Sequence, residues 1–227
     1  KIPTKFVTGD FNGDSKTDIA MMRGEADSRP HRYKFFVYLG NDQGLVTYRG
    51  AVDTNTVWKE GDIPTHFLTG DFNGDFKTDI VIARGEADSK PHRYAFLIYH
   101  SNDDGLPAYQ GRVDTNMVWK EEDIPTEFIT GDFNGDSKTD VVIARGEADL
   151  SPSRYVFYIY LGNEEGKLTC HHGRVDTNMV WKEGDIPTQF ITGDFNGDFK
   201  TDVAIARGEA DSSLQKYIFF YFFLIYK

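Results

Sequence analysis

The stretch Thr8–Asp18 reads TGDFNGDSKTD, and the chain of 227 residues contains this sequence four times with little change. The further copies are TGDFNGDFKTD at Thr69–Asp79, TGDFNGDSKTD at Thr130–Asp140 and TGDFNGDFKTD at Thr192–Asp202. The first aspartates of successive copies lie 61, 61 and 62 residues apart. A fixed period of this length is typical of a propeller, a solenoid or a repeat array.

The similarity between the copies extends well beyond the aspartate stretch. Each copy is preceded by IPT and followed by RGEAD, and the segment VDTN-x-VWKE closes the first three repeats. These landmarks define four repeats within one predicted domain, 1–227, and the last repeat is incomplete: 1–62, 63–123, 124–185 and 186–227.

Each full repeat predicts about four short strands. An apolar, β-branched run leaves the aspartate stretch, and a polar connection such as RGEADSRPHRY leads to a strand rich in aromatic residues, RYKFFVYLG in the first copy. A glycine-containing turn, NDQG, then precedes the segment that ends in VDTN-x-VW. Four strands in a repeat of this length describe a propeller blade. We expect an all-β propeller of four blades with a shortened last blade, and the alternative is part of a larger ring.

The aspartate stretch also has the oxygen donors of a metal loop. In the first copy, Asp10, Asn12, Asp14 and Asp18 occupy positions 1, 3, 5 and 9, and Lys16 at position 7 would offer its backbone carbonyl while its ammonium points away. Gly13 permits the sharp turn. A flexible site made only of hard oxygen ligands favours Ca²⁺ over Mg²⁺, zinc or copper.

The same five positions recur in every copy, so we predict about one Ca²⁺ per repeat and four in total. The alternative is an ordinary turn built from Asp, Asn and Gly. Against it, the ligand positions are constant in all four copies while position 6 alternates between Ser and Phe. Four ions would change the formal charge from −11 to −3. The complete predicted ligand set is Asp10, Asn12, Asp14, Lys16, Asp18; Asp71, Asn73, Asp75, Lys77, Asp79; Asp132, Asn134, Asp136, Lys138, Asp140; Asp194, Asn196, Asp198, Lys200, Asp202.

These loops, each followed by an apolar strand, resemble the FG-GAP/VCBS repeats of integrin-α-type β-propellers. The resemblance covers all four copies and implies calcium loops that join the first two strands of each blade. It also implies binding roles, namely cell adhesion or the lectin-like recognition of glycans. Family loops usually carry Gly at position 6, whereas this chain has Ser15, Phe76, Ser137 and Phe199 there, so we expect a strained backbone at these residues.

Composition limits the classes of partner. The net charge of −11 and the pI near 4.9 argue against nucleic acid, because phosphate binding needs a basic surface. No apolar run is long enough for a transmembrane helix, so no membrane insertion is expected. The chain has one cysteine and does not begin with Met. A removed signal peptide would explain that beginning, and so would a fragment or the removal of a tag; we expect an extracellular, secreted protein.

Several repeated features have both a functional and a structural interpretation. The RGEAD segments are either polar ligand contacts or ordinary salt bridges and turn caps. Recurrent tyrosines and tryptophans are either sugar-stacking platforms or the packing between blades; they are Tyr33, Tyr94, Tyr155, Tyr217, Trp58, Trp119 and Trp181. His171 and His172 beside Cys170 give only a weak indication of a transition-metal site. The apolar Tyr217–Tyr226 is interpreted as a buried closing strand or an oligomer contact.

No nucleophile, phosphate loop or zinc-protease motif is present in the sequence. We therefore expect a non-enzymatic, calcium-binding module whose ligand is a glycan or a cell-surface protein. The alternatives are an enzyme or enzyme accessory domain on a propeller scaffold, and a structural, self-assembling repeat protein. The residues that contact the ligand are not identifiable from the sequence.

Overall fold

The computed structural model describes residues 4–25, 31–57, 65–86, 93–118, 126–147, 154–180, 188–208 and 217–222. The regular secondary structure within these ranges is β-strand throughout, which confirms the all-β prediction. No helix in these ranges has the length and apolarity needed to cross a membrane.

The strands form four antiparallel sheets, one for each repeat. Sheet 1 contains β1 (Thr4–Gly9), β2 (Asp18–Glu25), β3 (Arg32–Gly40) and β4 (Val46–Val57). Sheet 2 contains β5 (Thr65–Gly70), β6 (Asp79–Glu86), β7 (Arg93–Ser101) and β8 (Pro107–Val118). Sheet 3 contains β9 (Thr126–Gly131), β10 (Asp140–Glu147), β11 (Arg154–Gly162) and β12 (Leu168–Val180). Sheet 4 contains β13 (Thr188–Gly193), β14 (Asp202–Gly208) and β15 (Tyr217–Phe222).

In every sheet the strands lie side by side in chain order, as in the up-and-down meander of a propeller blade. The predicted four strands per repeat are confirmed in the first three sheets, and the described part of the last sheet has the predicted three. Two compact units contain these sheets: Lys1–Trp119 with Asn163–Lys167, and Lys120–Gly162 with Leu168–Lys227. The single domain and the closure of four blades into one ring stay predictions.

The core of each unit lies between two sheets that face one another. In the first unit, Met22 and Phe35 of sheet 1 pack in one buried cluster with Ile82 and Tyr99 of sheet 2. In the second unit, residues of sheet 3 and sheet 4 form the equivalent cluster. The strand β6 is buried from Ile80 to Ala83 without alternation, as expected for a strand that is covered on both faces.

The repeated tyrosines belong to this packing. Tyr33 contacts Phe67 edge-on with ring centroids 5.4 Å apart, and Tyr155 contacts Phe190 in the same way at 5.5 Å. Tyr94 is also buried. The interpretation as packing between blades is therefore confirmed for Tyr33 and Tyr155, while the side chain of Tyr217 and the three tryptophans lie outside the described residues.

The threonine of the VDTN motif stabilises a β-bulge in the pairing of the third strand with the fourth. The pairing of β3 with β4 shifts between Arg32 and Lys34, which leaves Tyr33 out of the regular ladder. The buried hydroxyl of Thr54 donates to the carbonyl of Tyr33 at 2.7 Å, so the bulge leaves no unsatisfied acceptor there. Thr115 and Thr177 make the same bond in sheets 2 and 3.

The RGEAD segments differ from the sequence-based expectation. In the first three repeats their first three residues are not a polar connection but the end of the second strand, where Glu25 lies opposite Arg32; in the fourth, Arg207 and Gly208 end β14. Arg84 and Arg145 are buried whereas Arg23 is exposed, and the interpretation of these segments as ligand contacts or as salt bridges stays a prediction. The last two residues of each RGEAD segment lie outside the described ranges, as do the side chains of Cys170, His171, His172 and those of Tyr217–Phe222.

Candidate metal loops

Each aspartate stretch forms the hairpin loop between the first two strands of its sheet. In the first loop, Asp10 follows the end of β1 and Asp18 begins β2. One carboxylate organises the turn: Asp10 Oδ1 accepts the N–H of Gly13 at 2.7 Å and that of Asp14 at 3.0 Å, and Oδ2 accepts the N–H of Ser15 at 2.7 Å. The other three loops have the same bonds to Asp71, Asp132 and Asp194.

The curl of the loop needs two left-handed residues. Gly13 has φ of 77°, and Ser15 at position 6 has φ of 64°. Phe76, Ser137 and Phe199 adopt 64° to 66° at the same position, so the strained backbone predicted for these residues is confirmed. Phe76 and Phe199 are also 86% and 90% exposed, which means that packing does not compensate for this conformation.

The predicted ligands at positions 3 and 5 lie on the same turn. Asn12 Oδ1 accepts the N–H of Asp14 at 3.2 Å, and Asp14 Oδ1 accepts the N–H of Lys16 at 2.9 Å. Partial desolvation alone would raise the pKa of Asp14, but the hydrogen bonds from Asn12 and Lys16 outweigh it and lower this pKa below its ordinary value. Asp14 is therefore an anion, as a metal ligand must be.

The ammonium group at position 7 departs from the prediction. The sequence predicts that it points away from the loop, whereas in the first three loops it lies beside the carboxylate of position 5; Lys16 and Lys77 also reach outside their loops, to Asp42 at 3.3 Å and to Asp103 at 2.7 Å. Lys16 Nζ lies 3.2 Å from Asp14 Oδ2, and the equivalent distances are 3.8 Å for Lys77 to Asp75 and 3.6 Å for Lys138 to Asp136. The cause is electrostatic, because the lysine is the nearest cation to a loop that carries three carboxylates.

The aspartate at position 9 has a structural role that the sequence does not reveal. Asp18 is fully buried: its Oδ2 accepts the N–H of Phe11 at 2.8 Å, and its Oδ1 accepts the N–H of Gly40 at the end of β3, also at 2.8 Å. Asp79 and Asp140 make the same pair of bonds in sheets 2 and 3, and Asp202 makes the first of them in sheet 4. The carboxylate thereby ties the metal loop to the third strand.

Burial controls the electrostatics of this position. It raises the pKa of Asp140 to about 7 and that of Asp79 to about 6, although backbone hydrogen bonds act in the opposite direction. The pKa values of Asp18 and Asp202 are raised for the same reason. A buried carboxylate close to two others is costly, and a cation in the loop would reduce that cost.

A threonine that the sequence analysis did not single out connects neighbouring loops within each unit. The N–H of Thr78 donates to the carbonyl of Asp10 at 2.6 Å, and Thr78 Oγ1 accepts the N–H of Asp10 at 2.9 Å. Thr201 donates to the carbonyl of Asp132 in the second unit, also at 2.6 Å. Gly9 allows this approach, since a Cβ there would lie 2.4 Å from the Thr78 methyl group. Only the invariance of KTD at the end of each loop pointed to this threonine.

The fit of the loops to calcium depends on donor chemistry. Positions 1, 3 and 5 present only carboxylate and amide oxygens, and a carboxylate oxygen that accepts one N–H keeps a second lone pair for an ion. Within the described ranges, however, no three His, Cys, Asp or Glu side chains form a group that could hold a metal ion. The oxygen-only donor set and the curled backbone fit Ca²⁺, and the ion itself remains a prediction.

The FG-GAP-like repeat family matches residues 132–205. This segment begins at the first aspartate of the third loop, contains the fourth loop and ends in β14. The FG-GAP-like character of the repeats is thus confirmed there, and the same loop sequence stands in the first two repeats. No curated protein and no solved structure matches the chain.

Proposed function

From its FG-GAP-like repeats, we propose that this protein is a calcium-stabilised binding module of the extracellular space that has no catalytic activity and whose ligand is a glycan or a cell-surface protein. FG-GAP-like repeats are typical of β-propeller binding modules, and the four meander sheets agree with that architecture. One observation carries the calcium part of this proposal. In each of the four loops, the first aspartate accepts three backbone N–H groups and so curls the loop.

In this proposal calcium acts structurally. Each ion binds the oxygens of positions 1, 3 and 5, the carbonyl of position 7 and the carboxylate of position 9, and it neutralises charge that the lysine of the loop compensates only in part. Because position 9 is bonded to the end of the third strand, an ion at the loop stabilises the whole sheet rather than the hairpin alone. Stability then depends on calcium concentration by mass action.

The test is thermal unfolding of the full chain in EDTA, in magnesium and in calcium. An ion present at a hundred times its dissociation constant would add about 2.7 kcal/mol for each site. We expect a large rise of Tm in calcium and a smaller rise in magnesium, since Mg²⁺ demands a stricter octahedron. Identical melting curves in EDTA and calcium would refute the calcium role.

The binding role is tested separately on arrays of glycans and of cell-surface proteins, with the protein loaded with calcium. Ligand capture that is lost in EDTA supports a calcium-stabilised module. Turnover of glycosides or phosphoesters by the purified chain would instead favour an enzyme on the same scaffold.

A further inference from the structure

A groove of about 430 Å³ lies in the second unit, between the first strands of sheets 3 and 4. It is formed where β9 and β13 run beside one another. Its lining includes Glu127, Phe128 and Thr130 from β9 and Gln189, Phe190 and Thr192 from β13. Its volume is within the range of about 300–1,000 Å³ that is usual for small-molecule sites.

Four polar side chains of this lining have no partner of their own. Within the described ranges, no hydrogen bond or ion pair engages the side chains of Glu127, Thr130, Gln189 or Thr192. Glu127 and Gln189 are exposed and come from adjacent strands. The groove therefore offers an acidic acceptor, an amide and two hydroxyls that are free for a ligand.

One wall of the groove is an aromatic ring that its neighbours fix in place. Phe190 is half-buried and makes edge-on contacts with Tyr155 at 5.5 Å and Phe157 at 6.2 Å. Because these contacts hold the ring before any ligand arrives, binding against it costs little conformational entropy.

The repeats diverge at the position that enters this groove. Within the segment IPT-x-F, the variable residue is Lys5, His66, Glu127 and Gln189 in the four repeats, while the residues on either side are identical. The other variable position of the strand only exchanges Val, Leu and Ile. A chain that repeats its metal loops almost unchanged therefore gives this one site a different chemistry in each repeat.

We propose that the groove between β9 and β13 binds the ring of a neutral sugar. The carboxylate of Glu127 accepts hydrogen bonds only, so the ligand must supply donors, and the amide of Gln189 both donates and accepts. Hydroxyl groups satisfy both, while the C–H face of a sugar ring is apolar enough to pack against the side chain of Phe190. The net charge of −11 and the carboxylate at the groove disfavour anionic sugars.

This inference rests on the proposed function, in which the ligand is a glycan. It adds where the glycan binds and which class of sugar it contains. The probes are the methyl glycosides of glucose, galactose, mannose, fucose and N-acetylglucosamine at millimolar concentration, added to the calcium-loaded full chain. Backbone amide shifts in NMR spectra locate the bound sugar, and calorimetry measures its affinity. The test variant is Glu127→Ala with Gln189→Ala, and the matched control is Lys5→Ala with His66→Ala at the equivalent positions of the first unit.

We expect a sugar to shift the amides of β9 and β13 and the test variant to bind it at least about tenfold more weakly, while the control stays within about twofold of the parent. The test variant should keep the parent Tm, because Glu127 and Gln189 are exposed. Glu127→Gln, which keeps the shape and removes the charge, should retain part of the affinity. If a sugar binds and the test variant loses nothing, the groove is wrong and the glycan function stands. If none of these glycosides binds the parent chain, the sugar site is overturned, and the arrays decide separately whether the module binds another glycan or a cell-surface protein.

Discussion

Replacing Asp140 by alanine would remove a buried carboxylate that joins two separate chain segments. Its Oδ2 accepts the N–H of Phe133 in the third metal loop at 2.9 Å, and its Oδ1 accepts the N–H of Gly162 at the end of β11, also at 2.9 Å. Both bonds are buried, so alanine would leave two backbone donors without a partner. Each such donor costs about 1–3 kcal/mol.

The expected loss of unfolding free energy is about 3 kcal/mol, in the lower half of the resulting range of about 2–6 kcal/mol, because alanine also removes the cost of burying an ionised carboxylate close to Asp132 and Asp136. For a protein of this size that loss lowers Tm by about 6–12 °C. The experiment is done in EDTA at mildly alkaline pH, where Asp140 is ionised in the parent because burial raises its pKa only to about 7. These conditions measure the hydrogen bonds without calcium.

The matched control is Asp136→Ala in the same loop. Asp136 is exposed, accepts the N–H of Lys138 at 2.9 Å and pairs with its ammonium at 3.6 Å, so its loss should cost no more than about 1 kcal/mol in EDTA. In calcium both variants should lose the calcium-dependent gain of one site, because Asp136 and Asp140 are both predicted ligands, and Asp140→Ala should remain the less stable of the two. Equal melting temperatures for the two variants in EDTA would refute the structural role of Asp140.

Three further predictions follow from the described geometry. Gly9→Ala should destabilise the protein more than Gly193→Ala, since the new Cβ meets Thr78 at 2.4 Å in the first case and only the Phe195 ring at 3.3 Å in the second. Chemical denaturation measures the free energy of unfolding of both variants, and equal losses would contradict the close approach. Phe76→Gly should stabilise by about 0.5–1 kcal/mol, because it relieves a left-handed φ of 64° at an exposed side chain, and a lower Tm would contradict this. Burial lowers the pKa of His66 in the folded protein below 6.5, so the folded state favours neutral His66. The resulting stability is present above pH 6.5 and is lost as the pH falls through the lower, folded-state pKa. An NMR titration midpoint at or above 6.5 would contradict this.

Much of the local structure could be predicted from the sequence because its causes are local. The apolar runs and glycine turns predicted four strands per repeat, and the missing VDTN segment predicted a last sheet of three. The absence of glycine at Ser15 and Phe76 predicted a strained turn, which φ values of 64° confirm. Such features depend on residues within one turn or one strand pair, where side-chain preference decides the conformation.

Contacts between distant segments could not be predicted in this way. Asp18 was interpreted only as a metal ligand, whereas its carboxylate also reaches Gly40, 22 residues further along the chain. Thr78 was not singled out, although it bonds to Asp10 at a separation of 68 residues. Lys16 was expected to point away, but only the packed loop places its ammonium beside Asp14.

By itself, then, the sequence determined the repeat, its β-strands, the position of every aspartate loop and the oxygen character of the predicted calcium ligands, because period and residue type are properties of the chain. Only the tertiary structure decided which of those aspartates is a buried tie between loop and strand, which threonine connects two loops, and that Glu127 and Gln189 border one groove. These outcomes depend on strand register and on the packing of one sheet against another. Both bring together residues whose separation in the chain carries no information about their distance in space.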